Sequence, residues 1–345
     1  LAIRFPRDDG PHDRLTEWWY YTAHLRDRDG GRYGFEYVVF RAERGAFPVS
    51  WAAHLAVTDE TGDRFRYAQR SDLVPGVDRS PHEDGDPVGF AFALIGGDPS
   101  RPATLVRPPW LMSGLGGDDR LTAALAPDEA ATAGVEGLAI DLSLTSARPP
   151  VLHDGDGWID FGAAGGSYYY SRTRMTAAGT LELDGRSLSV EGIGWFDHQW
   201  GDFIAVGGGG WDWFAVNLDD GTDLTLSLVR DPDGSYPLVY GTLVGPDGAV
   251  VGLARDAFAV EATARWISPR TGAEYPAGWT ITVPAQGLRI ELSPTVADQE
   301  LDTRATTGLV YWEGSQVVRA ERDGRPLGGF AYVELTGYAP ASPVP

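Results

Sequence analysis

The chain of 345 residues contains no cysteine. That excludes disulfides, thiolate zinc sites, iron–sulfur clusters and a cysteine nucleophile. It contains no lysine either, so its basic side chains apart from histidine are all arginine. Schiff-base chemistry, covalent attachment of pyridoxal phosphate and the P-loop lysine go with it. No run approaches the roughly 18 uncharged apolar residues of a membrane-spanning helix. Positive charge is scarce, and the formal net charge is −21. Such a chain repels nucleic acid and anionic lipid, so neither is an expected partner. The metalloprotease His-Glu-x-x-His, the Gly-x-Ser-x-Gly elbow and the dinucleotide Gly-x-Gly-x-x-Gly are all missing. The six histidines are scattered. A three-histidine zinc site could form in space, but no local spacing supports one. The expectation is no metal and no organic cofactor.

What is present is alternation. Tyr33 to Arg41, Thr222 to Arg230 and Phe330 to Tyr338 each alternate with period two and are rich in β-formers. Asp-Gly pairs at 29–30, 184–185, 220–221, 233–234, 247–248 and 323–324 read as tight turns between strands. No window carries a long helical stripe. Ala123 to Ala133 is either a short helix or a loop, because Pro127 and Gly134 interrupt it. Many short strands without a βαβ rhythm predict an all-β protein of antiparallel barrels or sandwiches. The length predicts two domains. The Pro-, Gly- and Asp-rich stretch from Pro149 to Gly166 places their boundary near Met175, giving domains 1–175 and 176–345. The run Gly207 to Gly210 reads as a mobile hairpin loop.

Tryptophan is concentrated in three segments. In Thr16 to Leu25, strand alternation puts Glu17, Trp19, Tyr21 and Ala23 on one face and Trp18, Tyr20, Thr22 and His24 on the other. Large rings on both faces mean both are covered. Glu17 is then buried and must be paired, hydrogen-bonded or protonated. In Gly192 to Asp202, Trp195, Asp197 and Gln199 share one face, and Phe196, His198 and Trp200 the other. Trp211 to Asn217 repeats the mixture with Asp212 between Trp211 and Trp213. Polar groups packed among rings suit a catalytic group in an apolar pocket. They equally suit a satisfied core, with Asp197 accepting backbone N–H groups at a bulge.

At these residues the chain resembles the AttH-like family, related to carotenoid 1,2-hydratase (hydroxyneurosporene synthase). The motifs Glu17-Trp-Trp-Tyr20, Gly194-Trp-Phe-Asp-His-Gln-Trp-Gly201, Gly210-Trp-Asp-Trp-Phe214, Tyr311-Trp-Glu-Gly314 and Tyr332 to Tyr338 match it in order. The resemblance implies two tandem lipocalin-like β-barrel domains and an apolar pocket for polyprenyl or polyketide-like substrates. It implies acid-catalysed hydration or cyclisation of an isoprenoid, without a cofactor. A carboxylic acid would protonate an alkene and aromatic faces would stabilise the cation. The strand Thr222 to Arg230 departs from the hydratase pattern, lacking an evident Tyr and Asp pair. Candidate catalytic residues are Asp197, His198, Asp212 and Glu17. Candidate substrate-binding residues are Trp18, Trp19, Tyr21, Trp195, Trp200, Trp211 and Trp213. Two alternatives stay open: a Diels–Alderase-type pericyclase, which needs shape more than acid, and a non-catalytic carrier of lipid or pigment. The family is often labelled secreted, so the expected location is extracytoplasmic, with a cytoplasmic one still open.

Overall fold

The computed structural model describes residues 2–73, 75–96, 107–203 and 209–339. It is mostly β, with about 60% of residues in strands and 6% in helices. Two near-barrel sheets make up two lipocalin-like barrels, as expected. The contacts divide the chain into two compact units. One takes in residues 1–61, 66–152 and 156–204, the other 62–65, 153–155 and 205–345.

The first sheet contains β1 (Thr16–Asp27), β2 (Arg32–Ala42), β3 (Ser50–Asp59), β4 (Arg64–Asp72), β5 (Phe90–Leu94), β6 (Trp110–Leu115), β7 (Asp118–Ala124), β8 (Leu138–Ser146), β9 (Gly166–Leu183) and β10 (Arg186–Gly201). Their order is β4-β3-β2-β1-β10-β9-β8-β7-β6-β5. The end strands β4 and β5 do not share a ladder; side chains bridge them instead. Arg70 of β4 donates to the carbonyls of Leu94 at 3.0 Å and Pro108 at 2.7 Å. Asp72 Oδ2 accepts from the backbone N–H groups of Ile95 and Gly96. These bonds satisfy edge groups that would otherwise stay open to another strand. The second sheet runs Val250–Leu253, Leu238–Val244, Asp223–Arg230, Gly210–Leu218, Gly329–Thr336, Leu309–Arg322, Leu288–Pro294, Trp279–Val283 and Ala259–Ala262.

The division of the chain differs from the boundary expected at Met175. β9 runs straight through Met175, and the irregularity there is a register shift between Arg172 and Met175 within the β9–β10 ladder. A bulge bends a strand without ending it. The Pro-rich stretch before it is a run of short turns and bridges pairing back onto β9, not a linker. Ala123–Ala133 resolves into the end of β7 and a short helix, Pro127–Ala133. Of the glycine run, Gly207 and Gly208 lie outside the described residues. Gly209 and Gly210 are tied to the sheet, Gly209 donating to the Arg230 carbonyl at 3.1 Å.

The Asp-Gly turns form as expected. β9 and β10 are joined by Asp184 and Gly185 alone, with Leu183 paired to Arg186. Both turn residues take positive φ, 50° and 73°. That is the type I′ geometry whose twist matches the flanking strands. Gly185→Val should cost about 1–2 kcal/mol of stability, the usual penalty for a side chain in the left-handed region. Urea unfolding should show a lower midpoint with an unchanged slope; an unchanged midpoint would contradict the assignment.

Candidate functional site

The pairing of β1 with β10 sets Trp19 opposite His198 and Glu17 opposite Trp200. With the neighbouring ladders it lays inward-facing side chains in rows across five strands. The row nearest the barrel end reads Tyr168, Trp200, Glu17, Arg41, Trp51; the next reads Tyr170, His198, Trp19, Val39, Ala53; the third reads Arg172, Phe196, Tyr21, Tyr37, Leu55. The hydrophobic interior takes in Trp19, Tyr21, Phe196 and Trp200 but neither Trp18 nor Trp195. The two faces read from alternation are therefore correct.

Glu17 and His198 are both fully buried. Glu17 Oε1 lies 2.9 Å from His198 Nε2 and 2.7 Å from His12 Nδ1. The backbone N–H of His12 donates to Glu17 Oε2 at 2.9 Å. The other ring nitrogen of His12 faces Asp8 Oδ1 at 3.3 Å. The guanidinium of Arg41 donates to the His12 carbonyl at 2.6 Å. His12 stacks flat on Trp200, with ring centroids 4.1 Å apart, and His198 stacks on Trp19 at 4.6 Å. A cavity of about 240 Å³ lies at this end of the barrel, lined by Arg41, Val49, Trp51, Val77 and Asp78 among others.

The direction in which each group is shifted follows from these contacts. Burial opposes charge on Glu17, but its bonds to His12 and His198 outweigh that and hold its pKa below the ordinary carboxylate value. Burial also opposes charge on His12, but the carboxylates of Asp8 and Glu17 prevail and raise its pKa. His198 is the reverse: burial lowers its pKa despite Glu17. The contacts thus pull His12, set between two carboxylates, toward its imidazolium form and leave burial to pull His198 toward its neutral form. Against an ionised Glu17, Nε2 of His198 is the nitrogen that donates. Its Nδ1 is buried and has no hydrogen-bond partner among the described residues.

His12 escaped the sequence reading. It lies outside the Trp-rich segments, and the only local signal was a histidine five residues before a buried glutamate. Folding also changes the metal question. Donor atoms of His12, Glu17 and His198 lie within 4.8 Å of one another, close enough to share a divalent cation. Asp8 would orient His12 as second-sphere carboxylates orient ligating histidines. His198 Nδ1 has no such acceptor among the described residues, and its ring is held by the Glu17 contact and by stacking on Trp19.

The remaining candidates lie elsewhere. Asp197 points to the opposite face of β10. There Tyr169 donates to Oδ2 at 2.7 Å, and Trp195 at 2.7 Å and Ser171 both donate to Oδ1. Burial raises its pKa to about 6 in spite of these donors. Trp18 packs edge-on against Phe203 on that outward side. Asp212 belongs to the second unit. It accepts from Tyr338 at 2.9 Å, and burial raises its pKa to about 6 against the pull of Arg230 and Tyr338. Trp211 is turned away from it and donates to Glu334 at 2.9 Å. Trp213 shares that outer face, two residues on. Of the proposed residues, the fold thus gathers Glu17, Trp19, Tyr21, His198 and Trp200 inside one barrel.

These features define a two-barrel, lipocalin-like protein with a buried polar cluster at one end of its first barrel. The chain belongs to the AttH-like family, whose model matches residues 1–338. It is similar to a solved candidate AttH from Nitrosomonas europaea, with 27% identity, 99% of this chain and 98% of that one covered, and a TM-score of 0.80. Its fold also resembles kievitone hydratase from Nectria haematococca, with 15% identity, 97% and 93% coverage and a TM-score of 0.70. No curated protein matched.

Two substitutions test this electrostatic picture. Glu17→Gln removes one of the two carboxylates that charge His12, so the His12 pKa should fall, as read by NMR titration of its ring. An unmoved pKa would refute the pairing. Asp197 keeps its proton in the folded state to higher pH than in the unfolded chain. Its effect is therefore absent below about pH 4 and is a growing loss of stability as the pH rises to about 6. Asp197→Asn should flatten that part of the stability–pH curve in urea unfolding.

Proposed function

We propose that the protein is a hydratase-like lyase acting on a largely apolar substrate bound in the first barrel. The observation that carries this reading is the His198 ring. Glu17 holds one nitrogen, and the other lies among aromatic rings with no partner among the described residues. A buried histidine oriented by a carboxylate and free at its second nitrogen is arranged to exchange a proton with a bound molecule. The rings of Trp19, Phe196, Tyr170 and Trp200 around it suit an apolar substrate and a transient cation. The hydratase among the structural neighbours favours addition of water over cyclisation or a pericyclic step. A cavity lined by Arg41 and Trp51 borders the row that also holds Glu17. The substrate classes to try are an acyclic carotenoid, from the family resemblance, and kievitone, from the neighbour's name.

Each should be incubated with the protein in heavy-oxygen water and its products analysed by mass spectrometry. Incorporation of one labelled oxygen with one added water supports the reading. His198→Gln should then lower kcat by a hundredfold or more with little change in KM, the usual loss for a general acid or base. A variant as active as the wild type would remove His198 from the mechanism.

A further inference from the structure

The first barrel holds a second pair of carboxylates, Asp9 and Asp119, that the His12–Glu17–His198 cluster does not use. Both are buried. Asp9 enters from the short 3₁₀ turn Arg7–Asp9 that precedes β1. Its Oδ1 accepts from Tyr170 at 2.6 Å and from the Arg172 guanidinium at 2.9 Å, and its Oδ2 accepts from the Gly116 backbone N–H at 3.0 Å. Three donors, one of them cationic, satisfy it as a carboxylate. Asp119, on β7, receives the Tyr21 hydroxyl at 2.8 Å. Two acids share one arginine, and the arginine is bonded to Asp9. The charge balance of a buried site is met if Asp119 carries a proton.

We propose that Asp119 is kept as a neutral carboxylic acid inside the first barrel and gives the proton that begins hydration, while His198 takes one from water. This rests on the hydratase reading above. The Asp119 O–H bond breaks as its proton bonds to one alkene carbon, leaving a carbocation and the Asp119 carboxylate. A water oxygen bonds to the cation, and one of that water's protons passes to His198 Nδ1. Return of the proton to Asp119 through solvent resets both groups. The sum is alkene plus water to alcohol, with no other reactant.

The surroundings agree with this assignment. The groups that face Asp119 are Tyr21 from β1, Arg172 from β9, Asp9 from the entering turn and Asp118 from its own strand. Burial raises its pKa to about 7, and the pull of Tyr21 and Arg172 falls short of cancelling it, with Asp9 and Asp118 pushing the same way as burial. Tyr21, bonded to the acid, has its ring 4.6 Å from that of Phe196, and Phe90 meets the same Gly114 as Asp119 Oδ1. That oxygen is seated against Gly114, where a Cβ would come within 2.1 Å. A pair of acids with opposed environments is the arrangement from which proton-donor roles arise in enzymes.

The test has two arms. NMR titration of the full-length protein with isotope-labelled aspartate, compared with Asp119→Asn, reads the protonation of this one carboxyl without any substrate. Titration near neutrality is expected, moving higher in Tyr21→Phe, which loses the donor that favours the ionised form. Titration in the ordinary carboxylate range overturns the proposal. The second arm uses whichever of kievitone and the acyclic carotenoid is hydrated. Asp119→Asn keeps the shape of the neutral acid, and should lose at least a hundredfold in kcat. Wild-type turnover in that variant overturns the donor role. If the wild-type protein hydrates neither probe, the hydratase reading fails for them, and the titration still decides whether Asp119 is a neutral acid.

Discussion

The candidate site depends on one ladder. β1 and β10 are separated by most of the first unit's sequence, yet they pair along the whole length of β1, from Thr16 with Gly201 to Asp27 with Val190. A shift of one residue would turn every inward side chain of β10 outward. Trp195 and Asp197 would then enter the barrel, and Phe196, His198 and Trp200 would leave it. What opposes the slip is the apolar face itself, together with the Glu17–His198 bond and the fit at Gly192. A Cβ at Gly192 would lie 1.8 Å from the His24 carbonyl oxygen, so the backbones approach there as only glycine permits. The long pairing is nonlocal, so the site can form only when the barrel does.

The register also separates two kinds of buried acid. Asp197 has three side-chain donors on the outer face of β10. Asp212 is held by Tyr338, with Arg230 stacked over that tyrosine ring at 3.7 Å. Their raised pKa values report burial, and their oxygens are already engaged. Glu17 shows the opposite shift for an equally buried carboxyl, because two imidazoles surround it. Depth alone therefore does not identify the acid of a barrel; the partner set does.

Much of this was legible in the sequence. The Asp-Gly turns, the alternation of β1 and β10, and their inward and outward faces follow from backbone rules that act over a few residues. The family was legible because five aromatic motifs occur in order. The domain boundary was not, because Pro and Gly density marks loops in general and does not separate a linker from a turn-rich excursion that pairs back onto β9. His12 and Asp119 were missed for a related reason. His12 sits in an irregular approach to β1. Asp119 follows a Gly-Gly-Asp run that reads as an exposed turn. Both acquire their roles through partners that the fold, not the neighbouring sequence, supplies.

The same physics weighs between an enzyme and a carrier. A barrel that only stores an apolar molecule gains nothing from ions in its wall. Replacing a buried ion cluster by well-packed apolar side chains is often neutral or stabilising. The first barrel nevertheless buries Asp8, Asp9, Glu17, Asp119, Arg172 and His198 among its rings. Some of that cost is recovered by the Asp9–Arg172 and Glu17–His12 contacts, which tie the segment before β1 to the strands. Among the described residues His198 Nδ1 has no hydrogen-bond partner, and neither has the Tyr37 hydroxyl in the same interior, each a cost on the order of 1–3 kcal/mol if nothing meets it. The hydratase reading proposed above would give that nitrogen a partner in the bound reactant, whereas a carrier of apolar molecules would not.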